Sequence, residues 1–148
     1  MYHQPALLQE SIEGLNINPE GVYVDLTFGG GGHSKEILKR LRPKGRLIAF
    51  DQDADAQQNI QDDARFIFVD QNFKYLKNFL RYHNALPVDG ILADLGISSY
   101  QIDTAARGFA TRFDGPLNMR MSQNQKFSPQ ELVNTYSQEA LKEVFEKY

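Results

Sequence analysis

Four glycines in a row, Gly29, Gly30, Gly31 and Gly32, stand between Asp25-Leu26-Thr27-Phe28 and His33-Ser34. Glycine lets a backbone approach a ligand that any side chain would hold away, and a helix start offers free N–H groups to a negative group. Placed after a strand and before a helix, this run points to a cofactor-binding turn. A tight strand-to-helix turn alone would sacrifice chain entropy at four positions without a return. Asp51 closes the next apolar segment about twenty residues later, where an acid commonly holds ribose hydroxyls. The expected ligand therefore contains a nucleoside. No Gly-Lys-Ser/Thr follows the glycines, and the third glycine position of the dinucleotide fingerprint holds Ser34, so ATP and NAD are both disfavoured. Asp25 would oppose a pyrophosphate but could neutralise an ammonium, such as that of S-adenosylmethionine. An acid closing a strand also caps the adjoining turn, which is its plainer role.

Two further groups bear on the same site. Phe73 follows Asp70-Gln71-Asn72, where its ring could lie against an adenine or could be the first core residue of its helix. Asp94 is followed by Leu95-Gly96-Ile97-Ser98-Ser99, and ligands of open parallel sheets bind outside the strand carboxyl ends. Asp25, Asp51 and Asp94 are expected to converge on one rim.

Converging there requires strands that end side by side. Residues 21–26 are rich in β-branched and aromatic types and read as a strand; Ile37, Leu38 and Leu41 then recur at helical spacing until Pro43 and Gly45 stop the helix. Residues 46–51 form a second strand, followed by a weak, short surface helix over 53–63. Residues 66–69 form a third strand, and Phe73, Leu76, Phe79 and Leu80 mark an amphipathic helix. Residues 89–95 read as a fourth strand, apolar almost throughout as if covered on both faces, and an early helix around Leu7, Leu8, Ile12 and Leu15 packs beside the sheet. The alternation predicts an α/β fold with a parallel sheet and helices on both faces.

After residue 95 about thirty residues pass without a sustained period, longer than a usual connection, so the stretch is functional or disordered. Ser128-Pro129-Gln130-Glu131 then carries a capping box with proline at the first helical position, and a last helix follows Ser137 with Leu141, Val144 and Phe145 on one face. A fourth strand with no closing partner leaves an edge of unpaired backbone groups. The sheet is expected to be incomplete, with more protein following or with self-association through that edge.

Composition narrows the class. The 148 residues are 41% hydrophobic and 24% charged, as in one soluble domain. Sixteen Lys and Arg against nineteen Asp and Glu give a net charge of -3, which excludes a wholesale basic coat, so any nucleic acid is held by a local patch. The absence of cysteine excludes disulfides and thiolate metal sites, and histidines 3, 33 and 83 are too scattered for a metal cluster. No signal peptide or membrane-length apolar run is present, so a cytoplasmic, metal-free protein with no membrane association is expected. Lys35, Lys39, Arg40, Arg42, Lys44 and Arg46 form a basic stretch whose commonest meaning is a solvated helix face.

Taken together, His3-x-Pro5-x-Leu7-Leu8, Gly31-Gly32-His33-Ser34, Asp51-Gln52-Asp53, Asp89-Gly90-Ile91-Leu92, Asp94-Leu95-Gly96-Ile97-Ser98-Ser99, Arg107-Gly108-Phe109 and Arg112-Phe113-Asp114-Gly115-Pro116-Leu117 form a specific set. The chain resembles, essentially end to end, the bacterial small-subunit ribosomal RNA cytosine-N4 methyltransferases. The resemblance implies a Rossmann-like class I methyltransferase fold, S-adenosyl-L-methionine as cofactor, and a cytidine of small-subunit ribosomal RNA as substrate. It implies that Gly31, Gly32 and His33 hold the methionine end of the cofactor, Asp51 the ribose and Phe73 the adenine neighbourhood, with Asp94 and Gln101 completing the pocket. It further implies a partial cofactor-binding core over 1–106, and over 107–148 a loop and the start of an inserted helical substrate-recognition region. Two positions depart from the pattern: Tyr100 stands where proline is usual, and Asn118 where aspartate usually precedes Met119-Arg120-Met121.

A cytosine amine is a poor nucleophile, so a carboxylate that accepts its proton is the partner expected. Asp94 is assigned that part, with Ser98 or Ser99 trimming the orientation. Arg107, Arg112 and Arg120 are candidate phosphate contacts, or pair with Asp103 and Asp114 to order the loop. The rival readings are a non-catalytic nucleoside-binding module and a nicotinamide-dependent oxidoreductase, the latter weakened by the glycine spacing.

Overall fold

Segments rich in valine, isoleucine and phenylalanine pair into one sheet in the computed structural model, which describes residues 5–147. The strands are β1 (Val22–Asp25), β2 (Arg46–Asp51), β3 (Phe66–Asp70) and β4 (Gly90–Leu92). All neighbours are parallel, in the order β3-β2-β1-β4. The chain divides into two compact units, Met1–Gly96 and Ile97–Tyr148, and the sheet belongs to the first.

Side chains alternate across the strands and sort into two faces. Tyr23 and Leu47 meet Ile12 of α1 (Leu8–Gly14) and Ile37 and Leu38 of α2 (Gly32–Arg40). Val24, Ile48, Phe50 and Val69, on the other face, meet Leu80 of α3 (Leu76–Tyr82) and Ala85. Phe28, Ala49 and Ala56 form a further cluster, where Phe28 lies edge-on to Phe68 with ring centres 5.3 Å apart. Helices on both faces of a parallel sheet are what the strand-helix alternation predicts.

Three elements depart from their expected form. The segment 53–63 holds a 3-10 turn, Ala54–Asn59, capped by Asp53, which accepts from the Asp55 N–H at 3.1 Å; its polar residues offer no apolar stripe for a longer helix. The helix expected from Phe73 begins as a 3-10 turn, Phe73–Tyr75, and becomes α-helical only at Leu76. β4 spans three residues rather than seven, and its Ile91 is 45% exposed, because β4 is an outer strand paired only with β1.

The second unit carries helices inside the stretch that lacks periodicity: α4 (Ser99–Asp103) and a 3-10 turn, Ala105–Arg107. Both are too short to show a period in sequence. α5 (Pro129–Thr135) starts as its capping box predicts, with the Glu131 N–H donating to Ser128 Oγ at 3.3 Å and the Ser128 N–H donating to Glu131 Oε2 at 2.7 Å. α6 (Gln138–Lys147) follows. Among the described residues no helix is long and apolar enough to cross a membrane.

Candidate cofactor site at the sheet rim

β2 and β3 lie to one side of β1 and β4 to the other, so the connections reverse direction between β1 and β4. Open α/β sheets bind ligands outside the carboxyl ends of their strands at such a point. The register makes the rim specific. Asp25 is paired with Ala49 on β2 and with Leu92 on β4, so the ends of β2 and β4 lie on either side of β1, and beyond Asp25 the Phe28 N–H donates to the Phe50 carbonyl at 3.0 Å. Thr27 Oγ1 accepts the Asp94 N–H at 2.8 Å, and the Leu26 N–H donates to the Leu92 carbonyl at 2.9 Å. The ends of β1 and β4 are thereby joined, and the Asp94 side chain stays exposed.

Asp51 braces the glycine turn from the other side. Its Oδ2 accepts the Gly29 N–H at 2.8 Å and its Oδ1 accepts the Asp53 N–H at 2.8 Å. Burial raises the Asp51 carboxyl above the ordinary carboxylate range, with these backbone N–H groups pulling it back and the nearby Asp53 charge adding to the rise. Asn59 Nδ2 donates to the Gly29 carbonyl at 3.0 Å, fixing the same turn.

The four glycines serve different ends. Around Gly30 a Cβ would meet nothing within 4 Å, and around Gly29, at φ +48, only the Thr27 carbonyl at 3.9 Å. Their backbone faces open space, as a cofactor cradle requires. Gly31 sits at φ +74 just before α2, and a Cβ there would meet the Phe28 ring at 3.0 Å. Gly32 opens α2, and a Cβ there would meet Pro5 Cγ at 2.2 Å. His33 is buried, with Nε2 3.2 Å from the Ala6 carbonyl. Pro5 and Ala6 thus rest on the start of α2, which gives the Pro5 of the amino-terminal motif a structural task; its His3 lies outside the described residues.

Asp25 differs from the expectation that three acids share one open rim. It is 0% exposed, and both its oxygens are engaged, Oδ1 by the Thr27 N–H at 3.0 Å and Oδ2 by the Ser34 hydroxyl at 2.7 Å. Burial drives its carboxyl above the ordinary range, opposed by those two hydrogen bonds. Asp25 holds the loop from beneath by tying β1 to the first turn of α2, while Asp51 and Asp94 flank the rim.

Phe73 is 40% exposed, so it is not a buried core residue of its helix. Asn72 caps its turn by accepting the Lys74 N–H at 2.8 Å and donates through Nδ2 to Gln52 Oε1 at 2.9 Å, so the residue after Asp51 is tied to the residue before Phe73. Thr27 and Asn59 organise this site without having been singled out in the sequence, because a lone hydroxyl or amide carries no periodic or motif signal.

In the second unit, Ser98 and Gln101 form a capping box on α4: Ser98 Oγ accepts the Gln101 N–H at 3.1 Å and Gln101 Oε1 accepts the Ser98 N–H at 3.0 Å. Gln101 is buried and Ser99 partly so. Tyr100 is 55% exposed. The three loop arginines order the loop. Arg107 is buried and donates to the Arg120 carbonyl at 2.9 Å, Arg112 pairs with Asp103, and Arg120 Nε donates to Asn118 Oδ1 at 2.8 Å. Gly108 and Gly115 let this segment fold on itself, since a Cβ would meet the Pro116 carbonyl at 2.3 Å and the Ala105 carbonyl at 2.4 Å respectively.

A parallel sheet of order β3-β2-β1-β4, a glycine turn after β1 and an acid closing β2 define the Rossmann-like α/β class that binds nucleoside cofactors. Over residues 1–148 the chain matches the MraW methylase family, and it belongs to that family. It is similar to proteins named Ribosomal RNA small subunit methyltransferase H from Christiangramia forsetii, at 56% identity over 99% of this chain and 49% of the relative. The like-named proteins of Flavobacterium johnsoniae and Bacteroides thetaiotaomicron are 55% and 56% identical over 99% of the chain. The chain spans about half the length of the curated relatives it matches.

Proposed function

We propose that the chain is the cofactor-binding part of an S-adenosyl-L-methionine-dependent methyltransferase acting on the N4 amine of a cytidine in small-subunit ribosomal RNA, in the cytoplasm. The observation that carries this reading is the rim at which Asp51, bonded to the Gly29 N–H, and Asp94, bonded through its N–H to Thr27, flank a glycine turn with open space at Gly29 and Gly30. The donor set suits a nucleoside: Asp51 keeps lone pairs for ribose hydroxyls after accepting its two backbone N–H groups, and the exposed ring of Phe73 offers a face to adenine. The first turn of α2, Gly32 and His33, leads with backbone N–H groups that have no partner four residues back and suit the carboxylate of a methionine moiety.

When bound, S-adenosylmethionine supplies an electrophilic methyl on a sulfonium sulfur. The chain's own task is to hold the cytosine amine in line with it and to take its proton. Asp94 has the chemistry for both, since an exposed carboxylate accepts from a cytosine N4 amine and its backbone is fixed by Thr27. Asp94 would take the proton that N4 loses as the amine is methylated. Ser98 or Ser99 is proposed to trim the orientation of the amine, and Gln101 is proposed as a cofactor-binding residue. The exposed edge at Ile91 of β4 supports pairing with further strands or with a second copy.

Calorimetric titration with S-adenosylmethionine, NAD and ATP tests the ligand, and methyl transfer to small ribosomal subunits tests the reaction. Binding of the methyl donor alone is expected. Preference for NAD would replace this reading with an oxidoreductase, and donor binding without transfer would leave a nucleoside-binding module.

A further inference from the structure

We propose that the outer face of α3 and the turn before it is a track for single-stranded RNA, a reading that rests on ribosomal RNA being the substrate. Between Asp70 and Asp89 the chain has no acidic residue but carries Lys74, Lys77 and Arg81, a local excess of positive charge in a protein of net charge -3. All three are exposed, and among the described residues none of them joins an ion pair. Two of the three cations of α2, Lys39 and Arg40, are by contrast held by Glu36.

The helix lays these residues out in stripes. Lys74, Lys77 and Arg81 recur at spacings of three and four, so they share one face. Tyr75, Asn78 and Tyr82 repeat the same spacing one residue on and form the adjacent stripe, while Leu76, Phe79 and Leu80 turn toward the core. Tyr82 is 78% exposed and Tyr75 41% exposed, about two helical turns apart. Their rings are not loose: Lys74 Nζ lies 4.9 Å from the centre of the Tyr75 ring, and Tyr82 stands edge-on to His83 with centres 4.9 Å apart. Gln71, Tyr75, Asn78, Phe79 and Tyr82 line a shallow hollow of about 430 Å³, which combines ring faces with amides able to bond base edges.

Cations in a row beside exposed aromatic rings and amides suit a single-stranded polyanion, whose phosphates take the charge and whose bases stack. The track also begins at the cofactor rim, because Asn72, just before it, is bonded to Gln52 next to Asp51. RNA leaving the reaction site would meet it there.

The test is the salt dependence of binding to labelled single-stranded oligouridylate by fluorescence anisotropy. Binding by the parent chain is expected, and removing Lys74, Lys77 and Arg81 together (each →Gln) should lower the log-log salt slope by about 2, at roughly 0.7 for each phosphate no longer neutralised. Removing Lys35, Arg42 and Lys44 is the charge-matched control and should leave the slope nearly unchanged. Tyr82→Ala should weaken binding about five- to hundred-fold, the worth of one stacked base, and Tyr82→Phe should retain it. No binding by the parent, equal loss in both triple variants, or a triple α3 variant that alters only self-association in sedimentation would each overturn the track, the last in favour of a protein partner. S-adenosylmethionine titration of the parent and of the α3 variant separates the two readings. The α3 variant is expected to keep the donor affinity of the parent; donor binding by a parent that fails to bind RNA removes the track alone, and absent donor affinity in the parent removes the methyltransferase reading.

Discussion

Asp51 and Asp94 flank one turn, yet their surroundings give them different work. Asp51 is partly buried and already accepts two backbone N–H groups, so it organises as well as binds. Asp51→Ala should release the Gly29 N–H and weaken S-adenosylmethionine by at least about ten-fold in calorimetry, the loss of one charge-assisted hydrogen bond being worth about 1.5–3 kcal/mol. Asp94 has an exposed carboxylate and is fixed only through its backbone. Asp94→Asn should therefore bind donor and RNA near parent strength while single-turnover methyl transfer falls about 100- to 10,000-fold, the usual worth of a positioned base. Transfer at the parent rate would remove Asp94 from the chemistry. Asp25 separates from both by being buried and fully engaged: Asp25→Ala would strand the Ser34 hydroxyl and the Thr27 N–H, at about 1–3 kcal/mol of stability, measurable by urea unfolding.

The elements that were legible in the sequence are those whose signal is periodic. β2 runs over Arg46–Asp51, the span its apolar pattern predicts, and α5 begins at its capping box. Ser98 and Gln101 carry the same box at the same spacing, but it was not visible as a helix start because the five-residue α4 behind it has no period to announce. β4 is shorter than its apolar run predicts, because such a run reports burial within a completed sheet and here the strand has only one neighbour. At the site, the positions of Asp51 and Asp94 were legible from strand ends, whereas Asp25 was not, since whether a strand-closing acid faces the rim or the helix beneath depends on a Ser34 contact that no spacing encodes. The glycine run was legible as a whole and opaque in its parts, and the two kinds of glycine can be told apart by experiment. Gly30→Ala has room in the fold and should leave the melting temperature unchanged while lowering donor affinity. Gly31→Ala forces a Cβ into the left-handed region and onto Phe28, and should cost about 1–2 kcal/mol in stability. Equal loss of stability in both would mean that the open space at Gly30 is not a cradle.

At the scale of the molecule, the acids of the first unit pull its stability in opposite directions with pH. Asp63 is held by a fork from Arg65, Nε donating to Oδ1 at 2.9 Å and a terminal nitrogen to Oδ2 at 2.5 Å, which lowers its pKa from 3.8 to about 2. A folded-state pKa below the unfolded one gives stability that is present above pH 3.8 and is lost as pH falls toward about 2. The pair is partly exposed, so its share is under about 1 kcal/mol. Asp25 has the reverse sign: burial raises its pKa above 3.8, so the folded state binds the proton more tightly than the unfolded one. Its contribution is present below pH 3.8 and is lost as pH rises from there through the folded value. Two substitutions isolate the two limbs in the pH profile of unfolding free energy. Asp63→Asn should flatten the fall on the acid side, between pH 4 and about 2. Asp25→Asn keeps an oxygen for the Thr27 N–H and offers an N–H to Ser34 Oγ, so it should fold, and it should remove the decline that begins near pH 4 and gain stability relative to the parent at neutral pH. A parent-like profile in Asp25→Asn would show that this carboxyl titrates as an ordinary one, and that the glycine turn is not tied down by a desolvated acid.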